Sequence, residues 1–152
     1  MTERAAFALR DLRADDLDAA YALDQACFEP GIAYSRAEIR ELLARPATVA
    51  LASESAAGRL EAFAIAGRRG SRGHIVTIDI AAGSRRRGLG RRIFVELSRR
   101  LAEAGAREIR LEVDVRNAAA IRFYESLGFE KTRTLRGYYG RGLDGYEMVR
   151  EV

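Results

Sequence analysis

Ser84-Arg85-Arg86-Arg87-Gly88-Leu89-Gly90-Arg91-Arg92 separates two readable segments: an apolar run, His74 to Ile80, and a stretch in which Leu89, Ile93, Leu97 and Leu101 recur at helical spacing. The run before it predicts a strand, and the one after it a helix over Leu89 to Ala104. Two glycines in such a turn let backbone amides approach a ligand closely. The helix start adds unpaired N–H groups and a partial positive charge that suit a phosphate. Arginines around the turn strengthen anion binding. Two other nucleotide motifs fail on residues. A P-loop needs Gly-Lys followed by Ser or Thr, where this chain has Gly90-Arg91-Arg92. The dinucleotide fingerprint needs a small residue where bulky Ile93 stands. A tight turn with a solvated basic helix face is the plainer alternative.

C-terminal to this segment the pattern alternates: strand Ile109 to Val115, helix Ala118 to Leu127, strand Phe129 to Leu135 and strand Gly145 to Val149. Gly105 and Gly128 are natural helix stops. N-terminal to it, Phe7 to Arg10 reads as a short strand. A helix begins near Asp15-Asp16, with Leu17, Tyr21 and, at its end, Phe28 on a buried face. Pro30-Gly31 breaks the chain. Ser35-Arg36-Ala37-Glu38 is a capping-box pattern that opens a helix carrying Ile39, Leu42 and Leu43, closed by Pro46. Thr48 to Ala52 and Arg59 to Ala66 are strand-like runs around the small and polar residues 53–58, and residues 70–73 form the loop before His74. The order predicts one α/β domain with a mixed sheet covered by helices on both faces.

The 152 residues, 48% of them hydrophobic and 32% charged, suit one globular domain. No apolar run approaches the roughly 20 residues that cross a bilayer, and the first residues lack a basic-then-apolar leader, so no membrane association and a cytoplasmic location are expected. One cysteine, Cys27, and one histidine leave no internal disulfide and no Cys/His zinc set, so metal catalysis is not expected. The net charge of +4 permits an anionic partner without choosing one. Neither a helix-turn-helix pattern nor an aromatic platform in a basic groove is present, which argues against nucleic acid.

In the strand Ile109 to Val115, the residues Ile109, Leu111 and Val113 alternate with Arg110, Glu112 and Asp114, so Glu112 points away from the apolar face. Asn117 suits the cap of the next helix, which carries Ala120, Phe123, Tyr124 and Leu127 at spacings of a packed face. Periodicity alone leaves Glu112 an ordinary solvated residue and Tyr124 plain core. His74 is a second candidate base, because histidine titrates nearest neutral pH. At a strand entrance it reads better as a surface residue.

Arg85-x-x-Gly88-x-Gly90 resembles the acyl-CoA pyrophosphate motif of the GNAT superfamily of N-acetyltransferases, in that family's usual place between a strand and a helix. The resemblance covers nearly the whole chain and implies a single domain, 1–152, with a GNAT fold of about seven strands in a mixed sheet flanked by about four helices. It implies acetyl-CoA as cofactor, held by Arg85, Arg86, Arg87, Gly88, Leu89, Gly90 and Arg91 at the pyrophosphate and by the edge Ile78, Asp79 and Ile80 along the pantetheine arm.

The run from Leu111 to Phe129, above all its Asn-x-x-Ala-x-x-x-Tyr spacing, is similar to the RimI-like (ribosomal-protein-alanine) N-terminal acetyltransferases. By that resemblance Tyr124 protonates the leaving CoA sulfur, Glu112 helps deprotonate the amine, and Asn117 assists cofactor binding. Gly137-Tyr138-Tyr139 is similar to the family's loop beside the acceptor slot, and Tyr34 lies in the segment that shapes its entrance. The chemistry suits these residue types. An ammonium must lose a proton before it attacks a thioester, and a leaving thiolate gains from a proton donor. A protein α-amine, with a pKa of about 7.7 to 8.0 against about 10.4 for lysine, suits a mild carboxylate base. A backbone amide near Ile80 is placed to stabilise an oxyanion. Direct transfer in a ternary complex is expected, because Cys27 lies outside every motif and core packing is its expected role. Where RimI-like chains carry Pro-Trp-Ser, this one offers Ala33-Tyr34-Ser35, and Gly145 stands where alanine is commoner. The alternatives are a small-molecule acceptor such as a polyamine, amino acid or drug, a non-catalytic acetyl-CoA-binding domain, and a basic nucleic-acid-binding module.

Overall fold

Strands β1 (Leu9–Asp11), β2 (Val49–Glu54), β3 (Leu60–Arg69), β4 (Arg72–Ile80), β5 (Glu108–Asp114), β6 (Glu130–Leu135) and β7 (Gly145–Glu151) form one sheet in the order β1-β2-β3-β4-β5-β7-β6. The computed structural model describes residues 8–152, so Phe7 of the expected first strand lies outside the described residues. Four helices cover the sheet: α1 (Leu17–Cys27), α2 (Arg36–Ala44), α3 (Leu89–Glu103) and α4 (Ala118–Ser126). The mixed seven-stranded α/β architecture agrees with the expectation from the sequence. No helix among the described residues is long and apolar enough to cross a membrane.

Each face of the sheet buries its own core. On one face Leu89, Ile93, Phe94, Leu97 and Leu101 of α3 and Ile121 of α4 pack on Ala62, Ala64, Ile75, Ile109, Leu111 and Val113. On the other, Leu17 and Ala20 of α1 and Ile39 of α2 pack on Ala52, Phe63 and Ile65. Full burial of a side chain such as Ile93 or Phe63 contributes about 1.5–3 kcal/mol. Phe28 does not extend the α1 face: it is the extended residue that follows the helix. The capping box of α2 forms as expected, Ser35 Oγ accepting from the Glu38 amide at 3.1 Å and Glu38 Oε1 accepting from the Ser35 amide at 2.8 Å.

The strands outrun the sequence expectation where pairing, not side-chain character, extends them. β2 continues through Ser53 and Glu54, which pair with Ala62 and Leu60. β3 continues to Arg69, opposite Arg72, so the expected loop over 70–73 contracts to a tight turn at Gly70-Ser71. Two irregularities at the centre then shape the site. Ile65 pairs with Thr77 but Ala66 with Ile75, leaving Val76 as a bulge, so Ile75 and Ile78 both pack on the α3 side while Val76 packs on the α1 side. β4 and β5 are parallel and pair only at Arg72 with Glu108, Gly73 with Ile109 and His74 with Arg110. Beyond these residues the two strands diverge and leave a wedge in the middle of the sheet.

Candidate active site

The inner edge of β4 faces this wedge. The Ala81 amide donates to Glu61 O of β3 at 2.8 Å. By the alternation of an antiparallel ladder, Asp79 is also committed to β3, whereas the N–H and C=O groups of Ile78 and Ile80 point into the wedge. Of the three edge residues expected at a pantetheine arm, the register therefore removes the backbone of Asp79 and keeps Ile78 and Ile80. The Ile80 carbonyl accepts from Arg85 Nε at 3.0 Å and lies 3.5 Å from Cys27 Sγ. Cys27 is thus a half-buried neighbour of the wedge, not the core residue expected, and burial pushes its thiol pKa up.

At the mouth of the wedge Gly88 takes a left-handed conformation (φ 80°) as the N-cap of α3, with no side-chain cap. The amides of the first turn are left to an external acceptor. A Cβ at Gly88 would meet nothing within 4 Å, so the space over the turn is open. Gly90 has a different reason: a Cβ there would stand 3.1 Å from Phe123 Cζ, so this glycine lets α4 close on α3. Leu89 is buried beneath the turn and anchors it. Arg86 holds an unusual positive φ of 63°. Arg91 reaches Ser126 Oγ at 3.2 Å, and Arg87 stands 3.9 Å from Glu61. The turn presents uncapped amides and guanidinium groups over open space, a fit to a pyrophosphate. Asn117 caps α4 as expected, Oδ1 accepting from the Ala120 amide at 3.1 Å.

On the α1 side, Glu112 is not solvated: its side chain is 11% exposed. It accepts from His74 Nε2 at 2.6 Å and from the Tyr138 hydroxyl at 3.3 Å. Burial pushes the Glu112 pKa up, but the hydrogen bond and field of His74, the Arg110 charge and the Tyr138 hydroxyl outweigh it and hold the group below the usual carboxylate range. Since a carboxylate can only accept, Nε2 of His74 carries a proton. The Tyr138 and Tyr139 rings meet edge to face, with centroids 4.8 Å apart. Tyr34, Tyr138 and Tyr139 feel one another's charge and that of Glu112, and burial pushes all three phenols up, Tyr138 to about 12. Gly145 makes room for this group, because a Cβ there would stand 3.2 Å from Tyr139 Cε2 and 3.5 Å from Tyr138 Cβ.

The structure thus brings Glu112, His74, Tyr34, Tyr138 and Tyr139 together and sets Tyr124 apart. Tyr124 is packed between Phe123 and Phe129, with ring centroids at 5.3 and 5.7 Å. Burial, and then the Asp79 charge, push its phenol pKa well up, so it keeps its proton. Three features escaped the sequence reading. Arg116 ties the segment after α1 to the turn before α4, donating at 2.6 Å to both Glu29 and Asp114. His74 sits directly on Glu112. Asp24 and Asp79 are buried carboxyls where α1 crosses β4. Only the alternation of β4, which places Asp79 and Phe63 on one face, hints at the last.

Comparison with known proteins agrees with this geometry. Residues 17–129 match the acetyltransferase (GNAT) family. An N-alpha-acetyltransferase of Saccharolobus solfataricus is 38% identical over 82 residues, 53% of this chain and 49% of the relative. The ribosomal protein bS18-alanine N-acetyltransferase of Escherichia coli is 38% identical over 82 residues, 54% of this chain and 55% of that protein. The matched stretch spans about half the length of these curated relatives. The crystal structure of the ribosomal-protein-S18-alanine N-acetyltransferase from Escherichia coli superposes with a TM-score of 0.84 at 28% identity, covering 95% of this chain and 93% of that one.

Proposed function

Since the chain belongs to the acetyltransferase (GNAT) family, we propose that it moves an acetyl group from acetyl-CoA to the α-amine of a protein N-terminus, by direct transfer within a single domain. One observation carries the reading: Glu112, bonded to His74 and Tyr138, lies beneath a group of three tyrosines, Tyr34, Tyr138 and Tyr139. Relatives named for N-terminal acceptors, the N-alpha-acetyltransferase and the bS18-alanine enzyme, support the choice of acceptor.

Acetyl-CoA supplies an acetyl group activated as a thioester. The amides from Arg87 to Arg91, with Arg85, Arg86 and Arg91, would hold its pyrophosphate, and the inward groups of Ile78 and Ile80 its pantetheine arm, with Asn117 at the start of α4. On the acceptor side Glu112 and His74 act as one proton-accepting unit. A carboxylate held below its usual range is a weak base by itself. Its stronger contribution is to fix the imidazole through Nε2, which leaves Nδ1 free to take the ammonium proton. The tyrosines exclude water and orient the peptide end. On the cofactor side Tyr124 keeps a phenol proton at neutral pH and donates it to the departing sulfur. The Ile80 amide, aimed into the wedge, is placed to stabilise negative charge on the reacting oxygen.

The test is CoA-thiol release by the purified protein offered acetyl-CoA with peptides bearing free or blocked N-termini, and with polyamines. Turnover confined to free N-termini supports the proposal. Turnover with small amines alone would replace the acceptor, and failure to bind acetyl-CoA would overturn the reading.

A further inference from the structure

Asp24 and Asp79 are 0% and 1% exposed, and each leaves one carboxyl oxygen, Asp24 Oδ1 and Asp79 Oδ2, with no hydrogen-bond partner. Their other oxygens are engaged. Asp24 Oδ2 accepts from the Tyr34 amide at 2.7 Å, and Asp79 Oδ1 accepts from the Thr77 hydroxyl. The two carboxyls lie within hydrogen-bonding reach of each other. The contact between Cys27 and Ile80 explains why, since Cys27 is one turn after Asp24 on α1 and Ile80 follows Asp79 on β4. Two buried carboxyls this close, each with an orphan oxygen, cannot both be ionised without a cation between them. One proton between the orphan oxygens satisfies both at once.

We propose that Asp24 and Asp79 share a single proton and form a positioning pair that clamps the acceptor loop to the cofactor strand. Asp24 holds the loop by the amide of Tyr34, and Asp79 belongs to the strand whose Ile78 and Ile80 line the wedge. Other charged and titratable groups around the pair are few. Asp79 faces Cys27 from α1, Arg85 from the pyrophosphate turn and Tyr124 from α4, with Thr77 on its own strand, and Asp24 faces the Tyr34 phenol. Burial first, and then Asp24, push the Asp79 pKa up to about 9, against the Thr77 hydroxyl and the Arg85 charge. The folded protein therefore keeps a proton that an unfolded carboxyl, with a pKa of about 4, has released. The stability this pair contributes is fully present below the ordinary carboxylate range, is lost as pH rises from there to about 9, and is level above it.

Asp79→Asn tests the shared proton. Its amide donates permanently to Asp24, while its oxygen still accepts from Thr77. The thermal midpoint of Asp79→Asn should gain on that of wild type steadily between pH 5 and pH 9. A constant difference overturns the pairing, and Asp24→Asn repeats the test from the other side. The clamp is read by KM. Asp24→Ala should raise the peptide KM about tenfold with the acetyl-CoA KM unchanged, while Asp24→Asn, which can still accept from the Tyr34 amide, keeps the peptide KM of wild type. Equal peptide KM values in Asp24→Ala and wild type overturn the clamp. The KM comparison rests on the proposed acceptor site, whereas the thermal one does not, so failure of that reading and failure of the shared proton are distinguishable.

Discussion

In the proposed reaction a phenol and a carboxyl divide the work at the level of single residues, and each can be removed with almost no change of shape. Tyr124→Phe deletes one hydroxyl from a packed aromatic group. It should lower kcat by about 10²-fold, with little change in either KM, if the proton is needed only as sulfur leaves. Glu112→Gln keeps the volume but exchanges an oxygen acceptor facing His74 for an amide that can present the wrong group. It should lower kcat/KM by a similar factor, about 10², and pH profiles of the two variants should differ, since only Glu112 is tied to the imidazole. Part of this geometry was legible in the chain. Asn117 was readable as a helix cap and alternation turned Glu112 away from the apolar face, whereas Tyr124 was singled out only by the family resemblance. The burial of Glu112 was not legible, because it comes from His74 and Tyr138, which arrive from a neighbouring strand and a distant loop.

At the level of elements, two glycines set how closely neighbours approach. Gly90→Ala pushes a methyl against Phe123, 3.1 Å away, and should destabilise the fold by about 1–3 kcal/mol, seen as a lower thermal midpoint, while weakening acetyl-CoA binding. Gly145→Ala presses on Tyr139 instead and should raise the KM for the acceptor while leaving that for acetyl-CoA unchanged. Helices α3 and α4 were read to within a residue at both ends, and α2 at its start, because apolar periodicity, Ser35 and Asn117 mark them locally. The ends of β5 and β6 were read as closely, but those of β2, β3, β4 and β7 were not. Arg68 and Arg69 have no strand character of their own, and belong to β3 because Gly73 and Arg72 lie opposite. The Asp24–Asp79 pair was hidden for the same reason, since a carboxyl on each of two segments says nothing until α1 crosses β4.

Taken whole, the molecule is a sheet with a seam that closes only at its base, where His74 meets Arg110. Hydrogen–deuterium exchange should find the Ile78 and Ile80 amides, which face the gap, fast in the free protein and strongly slowed by acetyl-CoA, with the Asp79 amide, bonded to β3, slow throughout. Equal protection of all three before ligand is added would mean that the gap is closed in solution. The two kinds of unpaired edge in this sheet are guarded differently. One outer edge, β6, carries Glu130, Lys131 and Arg133 in open solvent, a charged fringe that discourages a second chain from pairing. The inner one is lined by Ile78 and Ile80 and carries no such fringe. It is guarded by its place inside the sheet, with α1 and α3 packed on β4 from opposite faces. The fold thus keeps open, in the middle of the sheet, an edge that would be a liability on its outside.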